Sequence, residues 1–403
     1  MVESHSSMSQ KTRSLILLAG LLAVLAILVW IWRLQPARTV EQHITHQELF
    51  VGTTTNADFL LSTTGSPEFI PTPVTTTTSL IESTTTDVKA TTTVSTNTTG
   101  TLRLLMVGDL MLDRTVATRT KQSGEPDYPF RKLPPGWTAG FDYSVANLEG
   151  SLTPTRRPPE KSIDFQFDPA WATILKDQGF DAFSQANNHA LDQGSAGYAD
   201  SVSRLRNAGF LVFGHQVDDG LIALATTTVN GQRLAFLGWN TTDNPIDLMQ
   251  AKEAIGVAKA QADTMIAFMH WGLEYQDHPT ADNVKLAHWL IDQGVDVVVG
   301  GHPHWVQGIS IYQGKPIVWS LGNFVFDQDW SKETQQGLAI KLRITPDEVG
   351  ITPVPLSIKL SQPKLEEGRA LQDRLLSLAK ISDEDVREEI MEGKELVFPR
   401  SIK

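Results

Sequence analysis

Val295-Asp-Val-Val-Val-Gly-Gly-His-Pro-His-Trp-Val-Gln307 opens with a short β-branched apolar run, Val295 to Val299, with no clean alternation of polar and apolar positions. Such a run is the mark of a strand buried on both faces of a parallel sheet. It stops at Gly300-Gly301, and His302 and His304 follow at once. Pro303 between them fixes its own φ and biases His302 toward an extended conformation. Two imidazoles thus leave a stiff turn at the carboxyl end of a strand, where open α/β sheets hold their ligands. His-x-His alone is weak evidence for a metal, and its weight comes from the same arrangement recurring along the chain.

Ahead of it, Thr280 to Gln293 reads as a helix, with Thr280 as its cap and Gly294 past its end. Before that helix, Thr264 to Met269 is another apolar run, ending in His270-Trp271-Gly272. Downstream, Pro316 to Leu321 repeats the pattern and ends in Gly322-Asn323-Phe324. Nearer the start, Leu104 to Val107 runs into Gly108-Asp109, Tyr143 to Ala146 into Asn147-Leu148-Glu149, and Phe180 to Ala186 into Asn187-Asn188-His189. Helices are expected over Asp168 to Gln178, Gly197 to Asn207 and Glu253 to Ala262, and further strands over Phe210 to Phe213 and Gly231 to Trp239. The alternation predicts an α/β fold, a layered β-sandwich flanked by helices.

Asp109, Glu149, Asn188 with His189, His270, and His302 with His304 all fall at expected strand ends. Hard oxygen donors beside borderline imidazole nitrogens are what divalent metals take. Each has an ordinary reading by itself, Asp109 as a helix cap for example. Their common placement points to a metal site.

The 403 residues carry a formal net charge of -12 and no cysteine. Clustered Lys and Arg of the kind phosphate contact requires are missing, which argues against a nucleic-acid binder. Lack of cysteine excludes disulfides, Cys-based zinc sites and thiol catalysis, and leaves the compartment open. Leu15 to Trp32 is an unbroken apolar run, long enough as a helix to cross a bilayer core of about 30 Å. It exceeds the signal-peptide core of about 7–15 residues, and no small-x-small cleavage pattern follows it. It therefore reads as a transmembrane signal-anchor helix, with residues 1–14 as a cytoplasmic tail.

Lys11 and Arg13 before the run are balanced by Arg33 and Arg38 after it, so charge does not set the orientation. The stalk does. Residues 33–101 form a linker dominated by Thr from about Val51 to Gly100, too poor in large apolar residues to offset its ordering entropy. A coil of about 60 such residues spans roughly 40–45 Å on average, and the composition is that of a surface stalk. A folded domain over 102–344 and a C-terminal extension with an amphipathic helix over 345–403 complete the expected layout. The expected location is the cell membrane, single-pass, with the folded domain extracytoplasmic. His5, His43 and His46 fall in the tail and linker and drop out as site candidates.

Six ordered blocks carry a family resemblance: Gly108-Asp109-Leu-Met-Leu-Asp-Arg114, Asn147-Leu-Glu149, Ala186-Asn-Asn-His-Ala-Leu-Asp-Gln-Gly194, His270-Trp-Gly-Leu-Glu-Tyr275, Gly300-Gly-His-Pro-His304 and Ser320-Leu-Gly-Asn-Phe-Val-Phe-Asp327. Together they resemble the CapA capsule-synthesis proteins, a family similar in fold to the calcineurin-like metallophosphoesterases. The resemblance spans about Leu102 to Gln328 and leaves out the anchor, the stalk and the C-terminal segment. It implies Asp109 and His304 on one metal, Asn188, His270 and His302 on the other, and Glu149 bridging. His189 is implied as the acid or hydrogen-bond donor at the reacting oxygen. One or two divalent ions are implied, with Mn, Zn and Fe not distinguished.

Two departures from the phosphoesterase pattern stand out. Its Asp-x-His is Asp109-Leu110-Met111 here, and its Gly-Asp-x-x-Asp is replaced by Asn147-Leu148-Glu149, so the first metal is poorer in ligands. CapA-like proteins share both departures. Gly301 stands where the family often has His, and Asp113 where it often has Gly; neither is expected to ligate.

Arg114, with planar bidentate donors, is the candidate to hold an anionic substrate. Glu274 is expected to orient His270 or a substrate. His278 reads as a solvated loop residue, with a place in a substrate wall as the alternative, His288 reads as packing, and His215 has no identifiable partner. The partners implied are the membrane, an anionic polymer such as poly-γ-glutamate or a cell-wall component, and capsule synthase subunits, with no nucleic acid. Three functions stay open: a metal-dependent hydrolase or transferase at a γ-glutamyl amide, a phosphoesterase on a surface phospho-compound, and a non-catalytic surface subunit of a capsule synthesis and export complex. No Ser or Thr nucleophile is identifiable from the sequence.

Overall fold

A computed structural model of the chain describes residues 100–214 and 223–400. The expected tail, the anchor at Leu15 to Trp32 and nearly all of the stalk lie outside the described residues, as does His215. No helix among the described residues is long and apolar enough to cross a membrane.

Two sheets form the centre. The first runs β16 (Gln362–Leu365), β15 (Glu348–Lys359), β14 (Gln336–Ile344), β1 (Leu102–Leu110), β2 (Tyr143–Leu148), β5 (Ala182–Ser184), β6 (Leu211–Phe213). In addition β13 (Asn323–Val325) pairs with β1, and β17 (Leu396–Pro399) with β15. β1, β2, β5 and β6 are parallel, whereas β14, β15 and β16 are added antiparallel. The second sheet runs β11 (Ile309–Tyr312), β12 (Lys315–Val318), β10 (Val297–Gly301), β9 (Thr264–His270), β8 (Gln232–Asn240), β7 (Leu224–Val229), parallel from β12 to β8. A separate pair joins β3 (Ser151–Leu152) and β4 (Gln166–Phe167).

Apolar residues on both faces of the central strands produce the layers. Leu102, Leu104 and Met106 of β1 share a core with Phe236 of β8, Phe268 of β9, and Val297 and Val299 of β10, in the space between the sheets. Leu105 and Val107 point the other way, toward Val116, Leu175 and Leu205 on the helices Arg114–Ser123, Trp171–Asp177 and Gly194–Asn207. Behind the second sheet, Met265 and Val298 pack with Ala254, Ile255 and Leu290 on the helices Leu248–Gln261 and Ala281–Asp292. Period-two side chains with no polar face thus give helix, sheet, sheet, helix layering, the expected α/β sandwich. The helix Ala281–Asp292 opens with a reciprocal cap, Asn283 N donating to Thr280 Oγ1 at 3.2 Å and Thr280 N to Asn283 Oδ1 at 3.0 Å.

β1 does not stop at Val107 but continues through Gly108-Asp109. A Cβ on Gly108 would lie 1.9 Å from the carbonyl oxygen of Gly322, so glycine is what lets that segment close and accept the Asp109 N–H at 3.0 Å. The segment 345–403, expected as an extension, supplies β15, β16 and β17 to the first sheet. Its helix Gly368–Lys380 sends Leu375 and Leu378 into the same core as Leu104.

Candidate metal centre

Parallel strands deliver their carboxyl ends to one edge. Asp109 is the next-to-last residue of β1, Glu149 follows β2, Asn188 and His189 lie just past β5, His270 ends β9, and His302 and His304 follow β10. Register aligns them, with Asp109 opposite Asn147 across β1 and β2, and His270 opposite Gly301 across β9 and β10.

Asp109, Glu149 and His304 are buried and each offers a ligand atom within 4.8 Å of the others. His304 Nδ1 is 2.9 Å from Asn323 Oδ1 and 3.5 Å from Asp109 Oδ2, while its Nε2 is 3.9 Å from Glu149 Oε1. Beside them, His270 Nε2 is 2.9 Å from Asn188 Oδ1, and the rings of His270 and His302 are 4.8 Å apart. Asn147 joins the two groups: its Nδ2 donates to Asp109 Oδ1 at 2.8 Å and lies 3.3 Å from His270 Nδ1. His189 faces Glu149 Oε1 with Nε2 at 4.0 Å, has Asp192 Oδ2 2.5 Å from Nδ1, and lies against the ring of Phe165 at 4.0 Å.

The turn after β10 differs from expectation. Pro303 should favour an extended His302, yet His302 and His304 have φ of 93° and 56°. Such conformations cost a non-glycine residue about 1–3 kcal/mol each, and here tertiary bonds impose them. His302 N donates to Asp109 Oδ2 at 3.2 Å, Trp271 N to Gly301 O at 3.2 Å, and Tyr275 N to Pro303 O at 2.8 Å. Gly301 has its own steric reason, since a Cβ there would stand 2.8 Å from Asp109 Oδ1.

Burial, and then the Asp109 carboxylate, push Glu149 well above the usual carboxylate range. Burial pulls His270 well below its ordinary value, with the neighbouring imidazoles adding to the effect. His302 is pulled down to about 3 by burial and by His304, against the pull of Asp109. Burial acts on His304 in the same sense, but Glu149 and Asp109 together outweigh it and raise the ring to about 9. The site therefore gathers three imidazoles of unlike proton affinity beside two carboxyl groups.

Both carboxylate oxygens of Glu149 and Nδ1 of His302 are buried without a hydrogen-bond partner. A buried, unpartnered carboxylate is costly unless something positive meets it. Oxygens of Asp109, Glu149 and Asn188 beside the nitrogens of His270, His302 and His304 are the donor set of a divalent cation. The residues fit one.

Arg114 borders the site with its guanidinium 5.0 Å above the Phe165 ring. It is shared with Asp327: Nε donates to Oδ2 at 3.2 Å and Nη2 bonds Oδ1. The nitrogens of His270 face Asn147 and Asn188, whereas Glu274 is exposed and bears on Tyr275. His278 is exposed, 2.6 Å from Asp277 Oδ1, and His288 stacks on Tyr312 at 3.7 Å. Asn147, Asp192, Asn323 and Asp327 received no role from the sequence, although each lies in one of the six quoted blocks. For Asn147, Asn323 and Asp327 the signal was a polar side chain inside an otherwise apolar block, whereas Asp192 sits in a polar one.

A family model described as "Bacterial capsule synthesis protein PGA_cap" matches residues 103–328. The PGA biosynthesis protein CapA of Bacillus subtilis is 29% identical over 319 residues, which cover 75% of this chain and 83% of that one. The capsule biosynthesis protein CapA of Bacillus anthracis is 30% identical over 287 residues, 65% of this chain and 69% of that one. Among solved structures, a phosphatase of Mycoplasma pneumoniae overlaps with 12% identity and a TM-score of 0.36 across 67% of this chain and 92% of that one, too loosely to bear on activity.

Proposed function

The chain belongs to the bacterial capsule synthesis protein family, and we propose that it makes or attaches capsular poly-γ-glutamate as a metal-dependent hydrolase or transferase at a γ-glutamyl amide. The observation that carries the catalytic part is Glu149, fully buried between Asp109 and His304 with neither oxygen satisfied. Asp109 and His304 would hold one divalent ion, Asn188, His270 and His302 a second, and Glu149 would serve both. Such an ion supplies Lewis acidity toward a carbonyl or phosphoryl oxygen.

The protein's own groups do the rest. His270 and His302, kept neutral by burial, keep their lone pairs available. Asp192 accepts from Nδ1–H of His189 and leaves Nε2 turned toward Glu149, placed to pass a proton at the reacting group. Phe165 covers the His189 ring and keeps water from it. Leu15 to Trp32 supports a single membrane pass, with the domain beyond Leu102 outside the cytoplasm. Protease added to intact cells should then release that domain by cutting in the Thr-rich stalk, and protection until lysis would reverse the orientation.

The test uses the full-length chain in detergent with γ-glutamyl oligomers and Mn²⁺. New amino termini or altered oligomer lengths should appear, stop on chelation, and be absent in His302→Ala. Cleavage of phosphate esters but never of γ-glutamyl amides would replace this reading with the phosphoesterase one. Unimpaired capsule in cells carrying His302→Ala would leave the non-catalytic subunit.

A further inference from the structure

We propose that the exposed loop 154–163, with Arg114 at its foot, is the surface on which an anionic, carboxylate-bearing polymer is received before it reaches the metal centre. The inference rests on the proposed function and adds to it the side from which the substrate comes and the groups that hold it.

The loop crosses the segment that carries Asn188 and His189. Lys161 Nζ donates to Asn188 O at 2.5 Å and lies 3.3 Å from Asp192 Oδ1, the carboxylate that also holds His189. Arg157 N donates to Gln193 Oε1 at 2.7 Å, and Arg156 bonds Asp113. Just past the loop, Phe165 touches His189 on one side and Arg114 on the other. Pro158-Pro159 stiffens the span between the arginines and Lys161.

In a chain of net charge -12 these cations are pointed outward. Side chains of Arg156, Arg157 and Lys161 are 46%, 48% and 47% exposed, while Asp113, Asp164 and Asp192 beneath them are 14%, 16% and 0% exposed. Asp327 under Arg114 is likewise buried. Glu160 is the exposed acid among their partners. Acids inside hold the cations in place, and the cations present their remaining N–H groups to solvent. Guanidinium forks match carboxylates in plane. Donors strung along an exposed loop, rather than gathered in a pocket, suit a repeating anion held by many weak contacts.

Another surface of the protein lacks such donors. A cavity of about 760 Å³ beside Gly272 is lined by Asp243, Asp282, Ile246, Leu273 and Trp289, and its Lys285 is paired with Asp282. Its lining holds two carboxylates to one ammonium and no guanidinium.

The experiment measures binding of fluorescent poly-γ-glutamate to the full-length chain at low and moderate salt. Replacing Arg156, Arg157 and Lys161 together by Gln should weaken binding about tenfold, as three exposed charge contacts would, and flatten its salt dependence. Metal content should stay as in the parent, because the three side chains supply no ligand atom, while the lost bonds to Asp113, Asn188 and Asp192 lower the melting temperature. Arg156→Lys with Arg157→Lys should keep the salt dependence, which follows charge, and lose part of the affinity, which follows the guanidinium fork. His302→Ala should bind the polymer like the parent even where it turns nothing over, which separates this surface from the catalytic reading. Unchanged affinity in the triple Gln variant overturns the proposal. So does a chain that binds polyphosphate but not poly-γ-glutamate.

Discussion

Asp192 Oδ2 stands 2.5 Å from Nδ1 of His189, on the opposite side of the ring from Glu149. That pairing turns the Nδ1–H toward the buried carboxylate, which accepts it as a hydrogen bond, and leaves Nε2 for chemistry. His189→Ala should lose about 10²–10⁴ in turnover of the γ-glutamyl substrate with metal content intact. Asp192→Asn should lower kcat and shift the pH–rate profile, again with metal retained. Loss of metal in either variant would make the pair structural support for the centre.

Gly301→Ala tests how tightly the second sheet closes on Asp109. The new methyl would stand 2.8 Å from Asp109 Oδ1, so one of the two must move. Overpacking of this kind costs about 1–3 kcal/mol, and displacing a ligand oxygen should cost much more in metal content. Isothermal titration with Mn²⁺ should show clearly weaker binding and a small change in melting temperature. Parent-like binding would mean that Asp109 does not ligate.

Protons and metal compete for one set of atoms. In the metal-free chain His304 is raised from 6.5 to about 9. A raised value means that its contribution to stability is complete below pH 6.5 and is lost as pH rises through about 9. Glu149 is shifted in the same sense. Metal binding must expel those protons, so affinity should climb with pH over this window. The gap in melting temperature between Mn²⁺-loaded and chelator-treated protein should widen from pH 6.5 to 9, and a constant gap would contradict the ligand set.

Residues beyond Ile344 should prove inseparable from the domain. Leu378, 4% exposed, packs in the core between the sheets, and Leu378→Ala should cost about 2–5 kcal/mol in denaturant unfolding. A chain ending at Ile344 leaves β14 without β15 along its whole length and should show no cooperative unfolding transition. Native-like unfolding of that truncation would restore the boundary at 344.

What could be read in the sequence is what short-range pattern encodes. Strands at β1, β2, β5, β9 and β10 announced themselves by apolar runs, and the polar residue after each run was the useful signal. Long-range pairing was not legible. Nothing near Asn323 says that its side chain will meet His304, nineteen residues earlier, and nothing near Asp192 says that Lys161 will reach it. The His302 backbone was misjudged because the preference imposed by Pro303 is local, while the bond from His302 N to Asp109 comes from across the fold. The C-terminal segment reads as an extension because the pairing of β15 with β14 on one side and with β16 and β17 on the other is not written in any one of these strands.

β1 is flanked by β2 on one side and β14 on the other, and Gly322, just ahead of β13, accepts the N–H of Asp109. A ribosome delivers Asp109 near the start of the folded region and its neighbours from these later strands far behind it. The carboxylate therefore has no fixed position until almost the whole chain has been made. An ion held here would thus be taken up only where the polypeptide finishes folding, and the metals present there would decide which one it is.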